Sequence, residues 1–296
     1  MGIGFLRGSW VAIITPFNKN LRVDFDAWNR LLDLHLAVGT DGIVVCGTTG
    51  EGATLELEEK RELMKIASKK CEGRVNLMFG AGSNDTTQAC ILASEAASMG
   101  ADAILSVTPY YNKPPQNGLL THFKSIAEVT ELPVVLYNVP SRTGCNILPE
   151  TVAELAQVKN ICGIKEASGN LEQVQQIIST VPEDFSVFSG EDALNLPIMI
   201  CGAAGTISVT ANVAPDLMKH FNDACKRNDW DKAKDIHYKL LPLHKAMFVE
   251  TNPLPAKAAL SEMGLISEYT RPPLCNADTK THKLVKKIIS SFGEMS

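Results

Sequence analysis

The run 10-WVAIITP-16 is apolar and β-branched, and it gives way to Thr15-Pro16-Phe17 rather than to a glycine-rich turn. In a doubly wound open sheet the first strand leads into a G-x-G-x-x-G phosphate turn. No such turn follows here. The run is apolar on both faces, as a strand of a helix-covered parallel sheet must be. Seven similar runs succeed it: 42-GIVVCG-47, 76-NLMFGAG-82, 103-AILSVTP-109, 133-PVVLYNV-139, 161-ICGIKEA-167, 185-FSVFSG-190 and 205-GTISVTA-211. Between them lie stretches of helical period. The clearest is 26-DAWNRLLDLHLAVG-39, with Trp28, Leu31, Leu32, His35 and Leu36 on one stripe and Gly39 as the stop. Asn84 and Asn170 read as helix N-caps, and Pro149 and Pro215 as first-turn prolines. Eight strand–helix units predict an α/β fold of the (β/α)8 TIM-barrel type.

After residue 227 the strands stop. Helices are expected near 230–250, 254–263 and 279–292, joined by the proline-rich turn 271-RPPLCNAD-278. The expected organisation is a (β/α)8 barrel over 1–227 that carries the active site, and a C-terminal helical region over 228–296 packed on it.

The totals narrow the function classes. The chain has 296 residues, 45% of them hydrophobic, which is enough for a large buried core. The net charge of −5 and the lack of a Lys/Arg block argue against nucleic acid as a partner. No apolar run reaches the length of a membrane span. MGIGFLRGSW lacks the pattern of a secretion signal and, with Leu6 at position 6, that of myristoylation, so a cytoplasmic protein is expected. The 8 cysteines form no C-x-x-C pair and read as reduced core thiols. The 6 histidines show no metal-ligand spacing.

Active sites of such barrels lie at the C-terminal ends of the strands. The residues there are 47-GTTGEG-52, 108-TPYYN-112, 137-YNVPSRTG-144, Lys165-Glu166, 189-SGED-192 and 208-SVTAN-212. By period-2 alternation Ile161, Gly163 and Lys165 share one face. If that face is the barrel interior, Lys165 is a desolvated amine suited to imine formation with a ketone or aldehyde. Otherwise it is a lysine paired with Glu166 or Glu191. Tyr137 ends the neighbouring strand and is either a proton shuttle beside that amine or a rim tyrosine bonded to backbone. GTTGEG offers backbone N–H groups and hydroxyls to a small carboxylate, and it lacks the lysine of a P-loop. Arg142 is either a bidentate carboxylate binder or one end of a surface salt bridge.

The ordered set GTTGE, TPYYN, LYNVPSRTG and GIKEASGN, with GTISVTANVAP and FVETNPLPAK further on, closely resembles the 4-hydroxy-tetrahydrodipicolinate synthase (dihydrodipicolinate synthase) family. These are pyruvate-dependent class I aldolase-like barrels, and the resemblance covers nearly the whole chain. It implies that Lys165 forms a Schiff base with pyruvate and that Tyr137 moves protons. Thr48 and Tyr111 would complete the relay, with Tyr111 reaching across a dimer interface. Thr49 and Ile207 would hold pyruvate, and Arg142 would hold the carboxylate of L-aspartate 4-semialdehyde. The resemblance further implies no metal or organic cofactor and a homotetramer built as a dimer of dimers. It places the reaction on the route to diaminopimelate and lysine. The sister lyases acting on N-acetylneuraminate or 2-keto-3-deoxy sugar acids, which usually differ at YNVPSRTG, are the alternative on the same scaffold. A non-catalytic sensor would have no use for an amine with a proton relay. The family's lysine-inhibition pocket would fall on Gly52, Ala53, Leu57, Lys60, Asn84, Gln88 and Tyr110. Gln88 stands where lysine-sensitive members have a carboxylate and Leu57 where some have a histidine, so weak or absent inhibition is expected.

Overall fold

The computed structural model describes residues 3–293. Eight parallel strands close into a barrel in sequence order: β1 (Gly8–Ala12), β2 (Gly42–Val45), β3 (Asn76–Gly80), β4 (Ala103–Val107), β5 (Val134–Asn138), β6 (Ile161–Glu166), β7 (Ser186–Ser189) and β8 (Gly205–Ser208). β8 pairs back onto β1, so the sheet has no edge. The intervening helices are α1 (Phe25–Val38), α2 (Leu57–Cys71), α3 (Thr86–Ala96), α4 (Gln116–Glu128), the single turn α5 (Pro140–Thr143), α6 (Pro149–Leu155), α7 (Leu171–Thr180), α8 (Asn195–Ile200) and α9 (Pro215–Lys226). Beyond the barrel come α10 (Trp230–Ala246), α11 (Leu254–Glu262) and α12 (Thr279–Gly293). α10 packs along α9 and α12, and α11 along α12. No helix of the described residues is long and apolar enough to cross a membrane.

All eight predicted strands are present, but most are shorter than their apolar runs. The first stops pairing regularly at Ala12 because a side-chain amide takes over: Asn212 donates to the Ala12 carbonyl at 2.8 Å and accepts from the Ile14 N–H at 3.0 Å. The caps agree at Asn170, which accepts from the Gln173 N–H at 3.2 Å, and Pro149 and Pro215 open their helices as expected. Asn84 is a correction. The cap of α3 is Asp85, whose carboxylate accepts from the Thr87 N–H at 2.9 Å, while the Asn84 carbonyl accepts from the Asn112 amide.

The interior of the barrel is a packed plug. Trp10 from β1 meets Phe188 from β7 edge-on with ring centroids 6.1 Å apart, among Val44, Met78, Leu105 and Ile207. Gly42 beside Trp10 makes room for the indole, since a Cβ there would lie 2.2 Å from it. One expectation about β6 fails. The β5–β6 ladder slips between Val134↔Ile161 and Val135↔Gly163. The extra residue reverses the alternation, so Ile161 packs in the outer, helix-facing layer and Cys162 joins the barrel interior. Gly163 and Lys165 keep the register read for them, opposite Val135 and Tyr137.

Several histidines are buried as neutral rings. His35 of α1 has Nδ1 3.0 Å from the Thr40 hydroxyl, and burial pulls it down from 6.5 to about 4. Burial does the same to His122 and His237, both to about 4. The unfolded chain protonates these rings near 6.5, so in the window between the two values it binds more protons than the folded chain. The stability they contribute is complete above about 6.5 and is lost as the pH falls towards 4. Thermal melts should therefore show a midpoint that declines across this window. His35→Gln should flatten the decline by up to about 3 kcal/mol; a variant with an unchanged slope would show that His35 titrates normally.

Candidate active site

Lys165 stands on β6, where every residue is buried, and it is itself 5% exposed. Its ammonium lies 4.5 Å from the centroid of the Tyr137 ring, its register partner on β5. The carboxylates that could neutralise it are held elsewhere. Glu166 points to the opposite face and accepts from the Ser168 N–H at 2.7 Å, Asn138 at 2.9 Å and Gln173 at 3.2 Å. Asp192 accepts from the Val209 and Thr210 N–H groups at 3.0 and 2.9 Å, which ties the end of β7 to that of β8. Glu191 faces Lys165 without an ion pair among the described residues. Burial and Asp192 push its carboxyl above the usual range, and Lys165 opposes them.

The amine opens into a cavity of about 510 Å³ at the strand C-termini, walled by Thr49, Tyr137, Arg142, Glu191, Val209 and Asn252. A second cavity of about 630 Å³ adjoins it, shares Tyr137, Arg142 and Asn252, and adds Thr48. Tyr137 stands at the junction. Lys165, Arg142, Glu191 and the hydroxyls of Thr48, Thr49 and Tyr137 thus converge on one rim, at the strand ends. Arg142 sits on the one-turn helix α5, opened by Pro140 and closed by Gly144 in the left-handed region. Its guanidinium donates to the Asn252 carbonyl at 3.2 Å, so it is tethered at one end and open to the cavity at the other. Thr49 is buried, and its hydroxyl accepts from the Asn252 amide at 3.0 Å.

Two expected residues are placed differently. Tyr111 lines neither cavity; it is 89% exposed, with φ 70° at the tip of the β4 loop. Ile207 is buried in the barrel plug beside Trp10, and the β8 wall of the cavity is Val209. Two others escaped the sequence reading. Asn252 lies in 248-FVETN-252, a stretch of the C-terminal region that walls the site together with Phe248 and Val249. Gly190 is where the Lys165 stem passes: a Cβ there would lie 2.8 Å from Lys165 Cε and 2.9 Å from the Ala167 Cβ. The motif SGED held the signal for Gly190, because a glycine ending a barrel strand marks a close approach.

The whole of this site falls inside one family match. The dihydrodipicolinate synthetase family matches residues 5–292. The chain is 48% identical over 294 residues to the 4-hydroxy-tetrahydrodipicolinate synthase of Methanopyrus kandleri, covering 98% of each. It is 46% identical to that of Pseudomonas aeruginosa, covering 98% of this chain and 100% of the other. Among solved structures, a chloride-inhibited dihydrodipicolinate synthase from Acinetobacter baumannii complexed with pyruvate superposes with a TM-score of 0.95 at 41% identity. It covers 97% of this chain and 99% of that one.

Gly190→Ala should displace the Lys165 stem. The yield of Lys165 labelling by a small aldehyde and borohydride should fall by roughly tenfold or more, with the thermal midpoint little changed. An undiminished yield would show that the stem tolerates the methyl group.

Proposed function

The chain belongs to the dihydrodipicolinate synthetase family, and on that premise we propose that it condenses pyruvate with L-aspartate 4-semialdehyde through a Schiff base on Lys165. It is a lyase of diaminopimelate and lysine biosynthesis. The observation that carries the residue assignment is the amine of Lys165. It is buried, free of any carboxylate among the described residues, and stacked over Tyr137 in a cavity that also holds Arg142.

The chemistry follows from that placement. The amine adds to the carbonyl carbon of pyruvate, and the carbinolamine loses water to give the imine. Loss of a methyl proton gives the enamine, whose carbon attacks the aldehyde. The amino group of the second substrate then closes the ring on the former carbonyl carbon and releases Lys165. Each step moves a proton at or beside the imine. Tyr137 is the phenol in place to carry it, with Thr48 next along the same cavity wall. Thr49, fixed by Asn252, holds the pyruvate carboxylate, and Ile207 supports it from below as part of the plug. Arg142 binds the carboxylate of the aldehyde. Tyr111, exposed in the single chain, completes the relay of a neighbouring subunit. The same reading, carried by the family resemblance, gives a homotetramer of two dimers that works in the cytoplasm without metal or organic cofactor.

The larger cavity also bears on regulation. Gly52, Ala53, Leu57, Lys60, Gln88 and Tyr110 all line it, while Asn84, the seventh position expected for a lysine effector, does not. Gln88 contributes no carboxylate there for the effector's ammonium.

Borohydride with pyruvate, followed by mass spectrometry, should leave a stable adduct on Lys165 of the assembled protein and none on Lys165→Ala; an adduct-free native chain would overturn the reading. Offered a panel of aldehydes with pyruvate, the enzyme should turn over aspartate semialdehyde in preference to sugar-derived ones. Arg142→Ala should raise KM for the aldehyde about tenfold to a hundredfold, the loss of a charge-assisted contact of roughly 1.5–3 kcal/mol. Pyruvate adduct formation in that variant should be normal. Sub-millimolar lysine should leave the rate unchanged.

A further inference from the structure

The turn that carries Thr48 and Thr49 is held by a charge the mechanism does not use. Glu51, three residues on, has φ 52°, a left-handed conformation that a non-glycine residue keeps only when its surroundings fix it. Its backbone N–H donates to the Thr48 carbonyl at 3.0 Å, so the orientation of Glu51 sets that of the Thr48–Thr49 peptide. Its buried carboxylate forms an ion pair with Lys257 of α11, and its other oxygen accepts from the Arg271 N–H at 3.0 Å.

Lys257 is itself fully buried. Its ammonium also donates to the Tyr269 carbonyl at 2.7 Å and lies 4.2 Å over the Phe17 ring. Arg271 covers the same ring at 4.5 Å, binds Glu59 of α2 at 2.6 Å, and donates to the Thr54 and Leu21 carbonyls at 2.8 and 2.9 Å. The charges around Lys257 are therefore Glu51 from the turn, Arg271 from the loop before α12 and, through Arg271, Glu59. Burial pulls Lys257 down to about 8 while Glu51 pulls it back up, which leaves the ammonium charged at neutral pH.

A buried ion pair is a poor device for stability, because well-packed apolar groups do as well or better. What this pair supplies is direction. We propose that Lys257 is a positioning residue: its pairing with Glu51 locks the GTTGEG turn and so holds Thr48 and Thr49 at the cavity wall. The C-terminal region thereby sets the geometry of the second strand's loop from more than two hundred residues away. This inference rests on the roles given above to Thr48 and Thr49.

The test compares the native enzyme with Lys257→Met, Glu51→Gln and the double variant. Removing one partner leaves the other unpaired and can unfold the chain, whereas the double variant has no such orphan charge. The double variant should fold with near-native circular dichroism. It should lose roughly tenfold or more in kcat, raise KM for pyruvate severalfold, and keep KM for the aldehyde within about twofold, since Arg142 lies outside the turn. Whichever single variants fold should be no better than the double, so the losses do not multiply. A folded double variant with native kcat and native KM for pyruvate overturns the inference. Absence of turnover by the native enzyme would overturn the underlying assignment, and with it this inference, so the two failures are told apart by the native control.

Discussion

An amine on the inner face of a closed barrel must be stripped of water and yet kept away from carboxylates, and the geometry around Lys165 answers to both demands. Desolvation comes from the plug beneath it, where Trp10, Phe188 and Ile207 fill the barrel. Separation comes from giving each nearby acid another occupation. Glu166 is turned outwards onto three donors, and Asp192 is spent on the backbone of the β8 end. Glu191 faces the amine, half-buried and across the cavity. A bound carboxylate would find two cations at that cavity, Lys165 and Arg142.

The same logic extends outward. Buried acids in this fold are anchored by donors on distant elements, and each anchor fixes a loop. Asp192 joins the ends of β7 and β8. Asn138 and Glu166 brace the start of the loop that carries Arg142. Glu51, through Lys257 and Arg271, joins the second loop to the C-terminal helices. Asn252, with one side-chain donor on Thr49 and its carbonyl on Arg142, links two loops across the mouth. The C-terminal region is thus both packing on the barrel and part of the wall of its site.

The sequence made the architecture legible because a parallel barrel repeats one simple pattern eight times. Apolar runs, their order, and the polar residues just past each run are local features. They read Lys165, Tyr137, Thr48, Thr49 and Arg142 as strand-end residues of one rim, and these five line the two adjoining cavities. What failed were inferences that need an atom's position rather than a pattern. One slipped residue in the β5–β6 ladder turned Ile161 outwards and Cys162 inwards, and strict alternation has no means of signalling a bulge. Asp85 displaced Asn84 as a cap because two residues with equal capping chemistry stand side by side. Asn252 went unassigned because its partners Thr49 and Arg142 lie 203 and 110 positions away in the chain.

By itself, then, the sequence determined the class of the fold and which residue types stand at the ends of its strands, since both are written in short-range periodicity and residue type. Tertiary structure decided which of those groups share a cavity. The register of β5 against β6 put Lys165 beside Tyr137, and long-range hydrogen bonds fixed Thr49 and Arg142 to Asn252. It left Tyr111 pointing into solvent from a single chain. The physical reason is that hydrogen bonding and burial are properties of neighbours in space. In a closed barrel the first and eighth strands are such neighbours, and only the folded chain brings them together.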